Sequence, residues 1–515
     1  MPSSSLRGPG WRTIPCVCFV TLWLVIPHPA PAWDSLPVSQ DRLTIHEWGT
    51  FTCLQDETGR GITGINTDDE PVPSFVHRIT EPTPRPSELA PVYLYEKGVP
   101  GTHRDVQMRL ETPVLYFYPP ESAKLPLRAT VKVDFRGGWL TEYYPDADVR
   151  VSGSQPGKRR IGRLAPGSVG SLEWRDLEIG GAGNPPQTDA PVWLAPRQVS
   201  AAIVRTPRDE AEKYLFYRGV GNLRSPVAVV RGGEPDELIV REQVDPALTA
   251  RTPLSIPGMW LVDVRDDGTI AYRALGAATL TGEPSRILSR IQFRSDDVIR
   301  TSAQPDPANR RTTRVSEVAF TNPSASDSLA ALGREMQQAL IVDGLFAEEA
   351  EAMLKTWEAA YFKSPGLRLF YLLPREWTDA VLPLSCSAPA DVSRSMIGRI
   401  EIVTPRQRTL LQQIAKGPIL SRSWLARSLE GAPDRNVALA RLKGGMIRLR
   451  DLNVAVPREY RAYLGLGRFR DALILDAQAR DPTPGLNDFA RSYGIQYYTP
   501  HAGMPDGSPA TTAGK

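Results

Sequence analysis

Cysteine is scarce in this chain of 515 residues, which contains four, and two of them lie among the first 18 residues. So few thiols exclude a disulfide-stabilised scaffold and a cysteine-rich zinc site. The two that remain, Cys53 and Cys386, allow either one bridge in an oxidising compartment or two buried free thiols. Their wide separation along the chain favours neither alternative.

Several catalytic motifs are also missing. The sequence has no G-x-S-x-G nucleophile elbow, no H-E-x-x-H zinc motif, no Walker A loop and no G-x-G-x-x-G loop. These absences argue against the commonest serine hydrolases, zinc proteases, P-loop nucleotide hydrolases and dinucleotide-binding enzymes. Charge gives no strong signal either, because 61 basic and 58 acidic residues are interspersed and leave a formal net charge of +3. We therefore expect no nucleic-acid partner.

Long apolar runs are absent except near the N-terminus. Arg7 and Arg12 precede a mostly apolar run at residues 14–26, and Ala30-Pro31-Ala32 matches a cleavage site. This layout predicts a secretory signal peptide at residues 1–32 and a secreted or periplasmic protein. A transmembrane helix needs about 20 apolar residues, more than this run contains. We expect no transmembrane segment after cleavage.

Proline is abundant, with 48 residues, which excludes a long coiled coil or an all-helical bundle. Between residues 43 and 320, short strand-like runs alternate with proline- and glycine-containing turns. One turn, Asp266-Asp267-Gly268, lies between Val264 and Ile270 and has the pattern of a β-hairpin. The pattern predicts a β-rich, sandwich-like domain over residues 33–322.

Beyond residue 322 the apolar period becomes that of a helix. Ala350, Met353 and Trp357 share one helical face, and Thr404-Pro405 has the pattern of a helix start. We predict a mixed α+β segment at residues 323–419, a helical C-terminal region at 420–497 and a disordered tail at 498–515. The expected fold class is α+β.

The strand predicted at residues 43–53 carries the first candidate catalytic residues. With a period of two, Glu47 lies on the face of Ile45 and Phe51, which is otherwise apolar. A desolvated carboxylate has a raised pKa and suits general acid catalysis. Gly49 beside it permits the close approach of backbone or ligand. The alternative is a buried ion pair, for which the sequence offers three candidate partners: Arg42, Arg109 and Arg218.

A second carboxylate, Glu111, falls in phase with Leu115 and Phe117, and Pro113 places this strand at an edge or a bulge. Two carboxylates that face one cleft are the minimal set for hydrolysis of a glycosidic bond. Glu47, Glu111 and the adjacent His46 are therefore the candidate catalytic residues. The spacing leaves open whether they share a cleft.

A weaker candidate metal site follows the first strand. Asp68, Asp69 and Glu70 offer hard oxygen ligands for calcium, and His77 with His46 and a carboxylate offers a set for zinc. Neither the D-x-D-x-D-G spacing of an EF-hand nor an H-x-x-x-H pair is present. A solvated acidic turn is the alternative interpretation.

The string HEWGTFT that begins at His46 resembles a signature of large exported proteins from environmental bacteria. Further short stretches are similar to that group, namely residues 68–71, 75–77, 109–118, 214–219 and 398–401. The resemblance is scattered between about residues 43 and 404. It implies export and a common architecture, and it assigns no catalytic residue and no activity.

Two functions agree with these features. The first is an exported binding protein whose partner is a glycan or an envelope protein. The alternative is a carboxylate-dependent hydrolase, acting on polysaccharide through Glu47 and Glu111 with His46. An open cleft that contains all three side chains would favour the hydrolase, whereas closed, arginine-paired positions would favour the binding protein.

Overall fold

The computed structural model describes residues 41–67, 72–80, 95–96, 98–152, 161–234, 236–243, 253–265, 270–292, 325–417 and 457–498. All of them belong to the unit Val38–Lys515. The predicted signal peptide, the acidic residues Asp68, Asp69 and Glu70, and most of the predicted tail lie outside these ranges.

The described part of the chain contains short and long strands, and most of its helices begin at or after residue 325. The strands are β1 (Leu43–Gln55), β2 (His77–Arg78), β3 (Tyr95–Glu96), β4 (Val99–Pro100), β5 (Met108–Tyr118), β6 (Leu127–Arg136), β7 (Gly138–Tyr144), β8 (Asp148–Val151), β9 (Val169–Ile179), β10 (Val204–Arg205), β11 (Ala211–Glu212), β12 (Leu215–Gly221), β13 (Val227–Arg231), β14 (Glu237–Glu242), β15 (Leu254–Ile256), β16 (Met259–Val264), β17 (Ile270–Ala274), β18 (Ala278–Leu280), β19 (Ile287–Gln292), β20 (Gly366–Leu372), β21 (Leu384–Cys386) and β22 (Ala390–Ile402).

The helices are α1 (Pro191–Leu194), α2 (Ala325–Val342), α3 (Ala347–Glu358), α4 (Arg375–Val381), α5 (Pro405–Ala415), α6 (Arg458–Gly465), α7 (Arg470–Arg480) and α8 (Pro484–Ser492). A 3-10 turn covers Pro196–Gln198, and a π-helix, Ala359–Lys363, directly continues α3. The predicted α+β class is confirmed, with a large β-sheet body and helices late in the chain. None of the described helices is both long and apolar enough to cross a membrane.

One wide sheet organises the molecule. Its strand order is β11-β10-β9-β7-β12-β5-β1-β22-β20-β16-β17, so β1 lies near the middle. β1 pairs antiparallel with β5 and parallel with β22, and the pairing with β22 runs in continuous register from Leu43–Ala390 to Gln55–Ile402. Strands from both sides of residue 322 thus enter the same sheet. The predicted hairpin between Val264 and Ile270 is present as the antiparallel pair β16–β17.

Local signals account for the helices. Thr404 caps α5 through a reciprocal pair of bonds with Gln407, and Pro405 occupies the first turn. In α3, Glu349 bonds back to the backbone N–H of Phe346, and one face of the helix buries Met353 and Trp357. The helix start predicted at Thr404-Pro405 and the helical face predicted for Ala350, Met353 and Trp357 are therefore confirmed.

The two faces of β1 are buried in different apolar clusters. Ile45 and Phe51 belong to the larger cluster, whereas Trp48 belongs to the cluster beneath α2 and α3. A third cluster joins the helices α6, α7 and α8 to residues that follow β1, such as Ile62 and Ile65. A charged side chain on β1 is therefore removed from water on either face.

A bulge interrupts the β1–β5 pairing between Trp48 and Thr50. At this level Thr112 has a φ of +44°, an uncommon conformation for a β-branched residue, and Pro113 follows it. A Cβ on Gly49 would lie 3.0 Å from the Cα of Pro113 and 3.1 Å from Sδ of Met396. The close approach expected at Gly49 is thus made by the backbone of β5.

Because of this bulge, Glu111 lies on the opposite face of β5 from the one that the sequence pattern predicts. Glu47 pairs with Leu115, and Thr50 pairs with Glu111. Because Glu47 and Thr50 lie on opposite faces of β1, Glu111 points away from the face of Leu115. The strict period of two used for residues 109–118 was wrong at this point, since one extra residue reverses the alternation.

Both cysteines in the described chain are free. Cys53 is buried, and Cys386 is half-buried on β21. Of the two alternatives left open by the sequence, the structure has free thiols. Burial first, and the nearby Glu401 carboxylate second, raise the pKa of Cys53 to about 12, so this thiol stays protonated at neutral pH.

Candidate functional site

Glu47 is fully buried and ion-paired. One carboxylate oxygen accepts a hydrogen bond from the hydroxyl of Tyr217, and the other accepts from Nε of Arg394. Arg394 also donates from Nη1 to Asp379 over 2.9 Å. Burial lowers the pKa of Arg394, but Glu47, Tyr217 and Asp379 together outweigh burial and the net pKa is raised. The site is closed, as expected for a structural ion pair.

The partner of Glu47 differs from the three arginines suggested by the sequence. Arg42 pairs with Asp391, Arg109 with Glu111, and Arg218 with Glu142. Arg394 lies directly opposite Glu47 in the β1–β22 register. Arg394 is 347 residues away from Glu47 along the chain, so the sequence pattern of β1 does not indicate this pairing.

His46 lies on the other face of β1, beneath the start of α3. Its Nδ1 is 2.8 Å from an Oε2 of Glu349, and Tyr118 donates to the second oxygen of the same carboxylate over 2.7 Å. The backbone N–H of Phe346 also donates to Glu349. His46 therefore connects the first turn of α3 to the sheet. It has no described contact with Glu47.

Glu111, which belongs to β5, is buried on the same face of the sheet as Thr52 of β1. The Thr52 hydroxyl donates to its Oε2 over 2.9 Å, and Nη2 of Arg109 lies 2.5 Å from its Oε1. The three candidate catalytic residues thus do not meet. Glu47 lies on one face, whereas His46 and Glu111 lie on the other and are bound to different partners.

The metal candidates are only partly within the described chain. His77 contacts Glu210, with Nε2 2.9 Å from each carboxylate oxygen, and its ring stacks on Tyr143. Asp68, Asp69 and Glu70 lie outside the described residues. Among the residues that are described, no group of three or more histidine, cysteine, aspartate or glutamate side chains is arranged to hold a metal ion.

The densest set of buried charges was missed by the sequence interpretation. We call it the arginine network. Four arginines and two glutamates from different parts of the chain form it, and all lie in or against the sheet beside Thr50 and Thr52. The members are Arg109 and Glu111 on β5, Arg368 on β20, Arg399 and Glu401 on β22, and Arg468 between α6 and α7.

Glu401 is the centre of one half of the arginine network. Arg399 donates to its Oε1 from both Nε and Nη2, with the Nε bond at 2.8 Å. Nε of Arg368 lies 3.4 Å from the same oxygen, and Nη1 of Arg468 lies 3.9 Å from it. Three guanidinium groups therefore surround a single carboxylate oxygen.

Arg468 connects this half to the second carboxylate. Its Nη2 lies 3.6 Å from Oε1 of Glu111, which Arg109 also contacts. The ring of Phe469 covers both guanidinium groups, with centroid distances of 5.0 Å to Arg468 and 5.5 Å to Arg109. The segment Gly467–Phe469, which connects α6 to α7, thus covers the arginine network on the side of these helices.

A π-helix forms the opposite wall. Its widened turn directs the carbonyl groups of Ala360 and Tyr361 to Nη1 of Arg368, over 2.8 and 2.7 Å, and Ala360 also accepts from Arg399. The hydroxyl of Tyr361 meets that of Thr50, and its ring lies 5.5 Å from the Arg399 guanidinium. Short π-helices are rare and occur frequently at functional sites.

Burial and neighbouring charges shift the pKa values of two members of the arginine network. The pKa of Arg368 is lowered to about 9, because burial, together with Arg399 and Arg468, outweighs the opposing effects of Glu401 and Asp263. Burial acts to raise the pKa of Glu401, but Arg368, Arg399 and Arg468 outweigh it and the net pKa is lowered. The surrounding guanidinium groups therefore favour the ionised form of Glu401.

One sequence signal could have indicated this set. Arg399 and Glu401 interrupt an otherwise apolar strand at alternate positions between Met396 and Val403. Charged residues at alternate positions of a buried strand share one face, so they predict a polar site there. Arg368 and Arg468 carry no comparable local signal, because only the tertiary fold brings them to β22.

The chain matches no protein-family model. A search of curated proteins likewise finds no significant match. Function is therefore inferred from the residues and geometry of this chain.

Proposed function

We propose that the protein is an exported binding protein that recognises an acidic ligand, carried by a glycan or an envelope protein, at the arginine network. The observation that supports this proposal is the convergence of Arg368, Arg399 and Arg468 on one oxygen of Glu401. Arginine is the side chain best suited to bind carboxylate, sulfate or phosphate groups, because its planar fork offers paired donors.

Binding is favoured over carboxylate-dependent hydrolysis by the surroundings of the two candidate acids. A glycosidase needs both carboxylates on one cleft, about 5–9.5 Å apart, with one of them protonated. Glu47 and Glu111 instead lie on opposite faces of the sheet, and each is bound to an arginine. His46 is engaged with Glu349. The hydrolase with Glu47, Glu111 and His46 is the alternative.

The proposal includes the expected sandwich-like body and the expected export. A second layer over the central strands is supported by the ring of Phe135 on β6, whose centroid is 6.1 Å from that of Phe51 on β1. Export is supported by the basic, apolar and cleavage regions at residues 1–32. Secreted material that begins at Trp33 would agree with it, and material that retains Arg12 would contradict it.

The binding function can be tested with matched acidic and neutral sugars. We expect glucuronic acid and glucose 6-phosphate to raise the melting temperature of the purified protein, and glucose to leave it unchanged. Polysaccharides incubated with the protein should release no reducing ends. Release that is abolished by both Glu47→Gln and Glu111→Gln would contradict the proposal and establish the hydrolase.

A further inference from the structure

We propose that a cavity beside strands β6, β9 and β10 binds a small polar cation, an amino sugar, through its protonated amino group. The cavity has a volume of about 420 Å³ and is lined by Arg128, Asp176, Glu178, Arg205, Thr206, Pro207 and Asp209. None of these residues belongs to the arginine network. The inference therefore goes beyond the proposed binding function and does not depend on it.

A row of three charged side chains crosses the strands at this cavity. In the strand register, Glu178 of β9 lies opposite Arg128 of β6 on one side and Arg205 of β10 on the other. Nη2 of Arg128 donates to one oxygen of the carboxylate, and Nε and Nη2 of Arg205 donate to the other. The glutamate is thus bound by both lining arginines, which fixes the row in place.

Two aspartates reach the cavity from irregular backbone. Asp176 has a φ of +50° and lies in a bulge of β9, where it and Arg175 together oppose the single residue Thr130 of β6. Asp209 has a φ of +67°, lies in the turn between β10 and β11, and accepts a bond from Nη1 of Arg205 over 3.0 Å. Aspartate adopts this left-handed conformation more readily than most residues. The backbone thus brings two further carboxylates to the lining.

One of the three lining carboxylates has no ion pair. Glu178 and Asp209 are bound by the lining arginines, whereas Asp176 has no hydrogen bond or ion pair within the part of the chain that the structure describes. Arg175 acts on Asp176 at longer range and makes its own ion pairs with other carboxylates. Three carboxylates and two guanidinium groups give the lining a formal charge of −1. A ligand of charge +1 balances this charge, whereas an anion would be repelled by it.

A buried hydroxyl group is the second indication of a ligand. Thr206 lines the cavity and is 6% exposed, and its Oγ1 has no hydrogen-bond partner among the described residues. A buried polar group without a partner costs free energy, and such groups are rare in folded proteins. An ammonium group carries three donors. It can therefore bind the hydroxyl of Thr206 and the carboxylate of Asp176 at the same time.

The rest of the lining favours a ligand rich in hydroxyl groups over an aliphatic amine. Pro207 is the single apolar residue of the seven, whereas most ligand cavities are lined largely by apolar side chains. Sugar hydroxyl groups can accept bonds from Arg128, which has one described hydrogen bond, and donate bonds to Asp209. The volume lies within the range of about 300–1,000 Å³ that is typical of small-molecule sites. An amino sugar combines the positive charge with these hydroxyl groups.

Isothermal titration calorimetry on the protein spanning residues 33–515 tests the proposal. The ligands are added at matched ionic strength and about pH 6, where an amino group is protonated. We expect saturable binding of glucosamine and none of glucose or of N-acetylglucosamine, in which the amide removes the charge. Absence of saturable glucosamine binding would overturn the proposal, as would equal binding of N-acetylglucosamine. Putrescine that binds more tightly than glucosamine would overturn the assignment to amino sugars.

The variant Asp176→Asn locates the site. Loss of the charged acceptor should weaken glucosamine binding about tenfold or more. The matched control is Asp481→Asn, which makes the same change at an exposed aspartate after α7 that does not line the cavity. Both variants should melt at the temperature of the wild type, because neither carboxylate has a described hydrogen bond or ion pair. Wild-type affinity in Asp176→Asn would contradict the proposal.

The variant Thr206→Val separates a ligand-binding hydroxyl from a structural one. Valine keeps the branched shape and removes the hydroxyl, so without ligand the melting temperature should not fall. Glucosamine binding should nevertheless weaken about threefold to tenfold. A variant that binds glucosamine as tightly as the wild type does would overturn the proposal. Should Thr206→Val fail to fold, the titrations of the wild type and Asp176→Asn decide.

The two proposals fail on different results. If glucuronic acid and glucose 6-phosphate do not bind, the acidic-ligand function is rejected, and the cavity is still judged by glucosamine. If glucosamine does not bind, the cation site alone is rejected, because the arginine network shares no residue with the cavity.

Discussion

Arginine is the counterion of the buried carboxylates on the sheet. The guanidinium group remains charged when buried and offers several donors in one plane, so it can satisfy a carboxylate in a water-free interior. On the wide sheet, the described buried glutamates with arginine partners include Glu47 with Arg394, Glu111 with Arg109, Glu142 with Arg218, Glu212 with Arg197 and Glu401 with Arg399. Burial of an acid in this protein is therefore not by itself a sign of catalysis.

The variant Glu47→Gln should destabilise the protein by about 3–5 kcal/mol, because it leaves the Arg394 guanidinium buried without its main counterion. The loss should fall near the lower value, since Arg394 keeps its contact with Asp379. Chemical denaturation measures the free energy of unfolding. The matched control is Asp391→Asn, which breaks an exposed pair with Arg42 and should cost about 0–1 kcal/mol. Equal effects of the two variants would contradict a buried pair.

Asp343 makes stability depend on pH. Burial, partly offset by Ser395 and Arg375, raises its pKa from 3.8 to about 6. A raised carboxyl pKa stabilises the folded state fully below pH 3.8, and this stabilisation is lost as the pH rises through about 6. Asp343→Asn should therefore gain roughly 2–3 kcal/mol relative to wild type between pH 4 and pH 7. Denaturation curves at both values test this, and a constant difference would contradict it.

At the residue scale, the sequence allowed the burial of Glu47 to be predicted, but not its partner. Alternation along β1 is regular, so the phase of Glu47 could be read directly. The partner lies on β22, and a parallel neighbour is not encoded near β1. Glu111 shows the opposite failure, because the bulge beside Pro113 reversed an alternation that the sequence pattern made look regular.

At the element scale, three adjacent strand pairs beside Glu111 have irregular pairing, and further shifts occur in the β6–β9 and β14–β19 pairs. The pairing shifts between β1 and β5, between β5 and β12, and between β12 and β7. At the β12 shift, a Cβ on Gly219 would lie 2.2 Å from the carbonyl oxygen of Trp139. Bulges redirect side chains and are common beside functional sites. Here the first shift carries Glu111 to the face of Thr52.

The variant Gly49→Ala tests the close approach in this bulge. The added methyl group would meet the backbone of Pro113, which cannot move aside as a flexible side chain can. Overpacking of this kind costs about 1–3 kcal/mol. The matched control is Gly333→Ala in α2, where the added Cβ would meet no atom within 4 Å beyond the neighbouring residues and backbone of its own helix. That change should stabilise the protein by about 0.5–1 kcal/mol through helix propensity. Thermal and denaturant unfolding of both variants distinguish the two environments.

The elements that the sequence predicted best are those whose start is marked by residues close together in the chain. The helix after Thr404 has a cap, a proline in its first turn and a capping box, all within four residues. The π-helix after α3 could not be predicted, because its carbonyl groups are held by Arg368 and Arg399 from separate strands. Elements that depend on distant side chains leave little trace in their own sequence.

At the scale of the whole molecule, strand order was the least predictable feature. The pattern of short strands before residue 322 indicated a β-rich body, and this is present. Nothing local indicated that β22 would pair with β1 or that β20 would pair with β16. Such pairings are selected by packing across the sheet rather than by propensity.

Residues 33–322 produced alone should not fold cooperatively. Without β22, one edge of β1 would expose a row of unpaired backbone groups, and unpaired edges promote aggregation. We expect insoluble material, or soluble material without a cooperative thermal transition by circular dichroism. Residues 33–515 are the control. A soluble fragment with a sharp transition would mean that the body is independent of the later strands.

The parallel pairing of β1 and β22 also sets the order of events during biosynthesis. A chain made from its N-terminus presents β1 early, yet the strand that completes its pairing is more than 300 residues behind. Contacts so distant in sequence form slowly. For that interval an apolar strand with a buried acid at its centre must be kept from other chains, and until Arg394 arrives Glu47 has no counterion. The edge of β1 that pairs with β22 is therefore open to association with other chains until the later strand has been made.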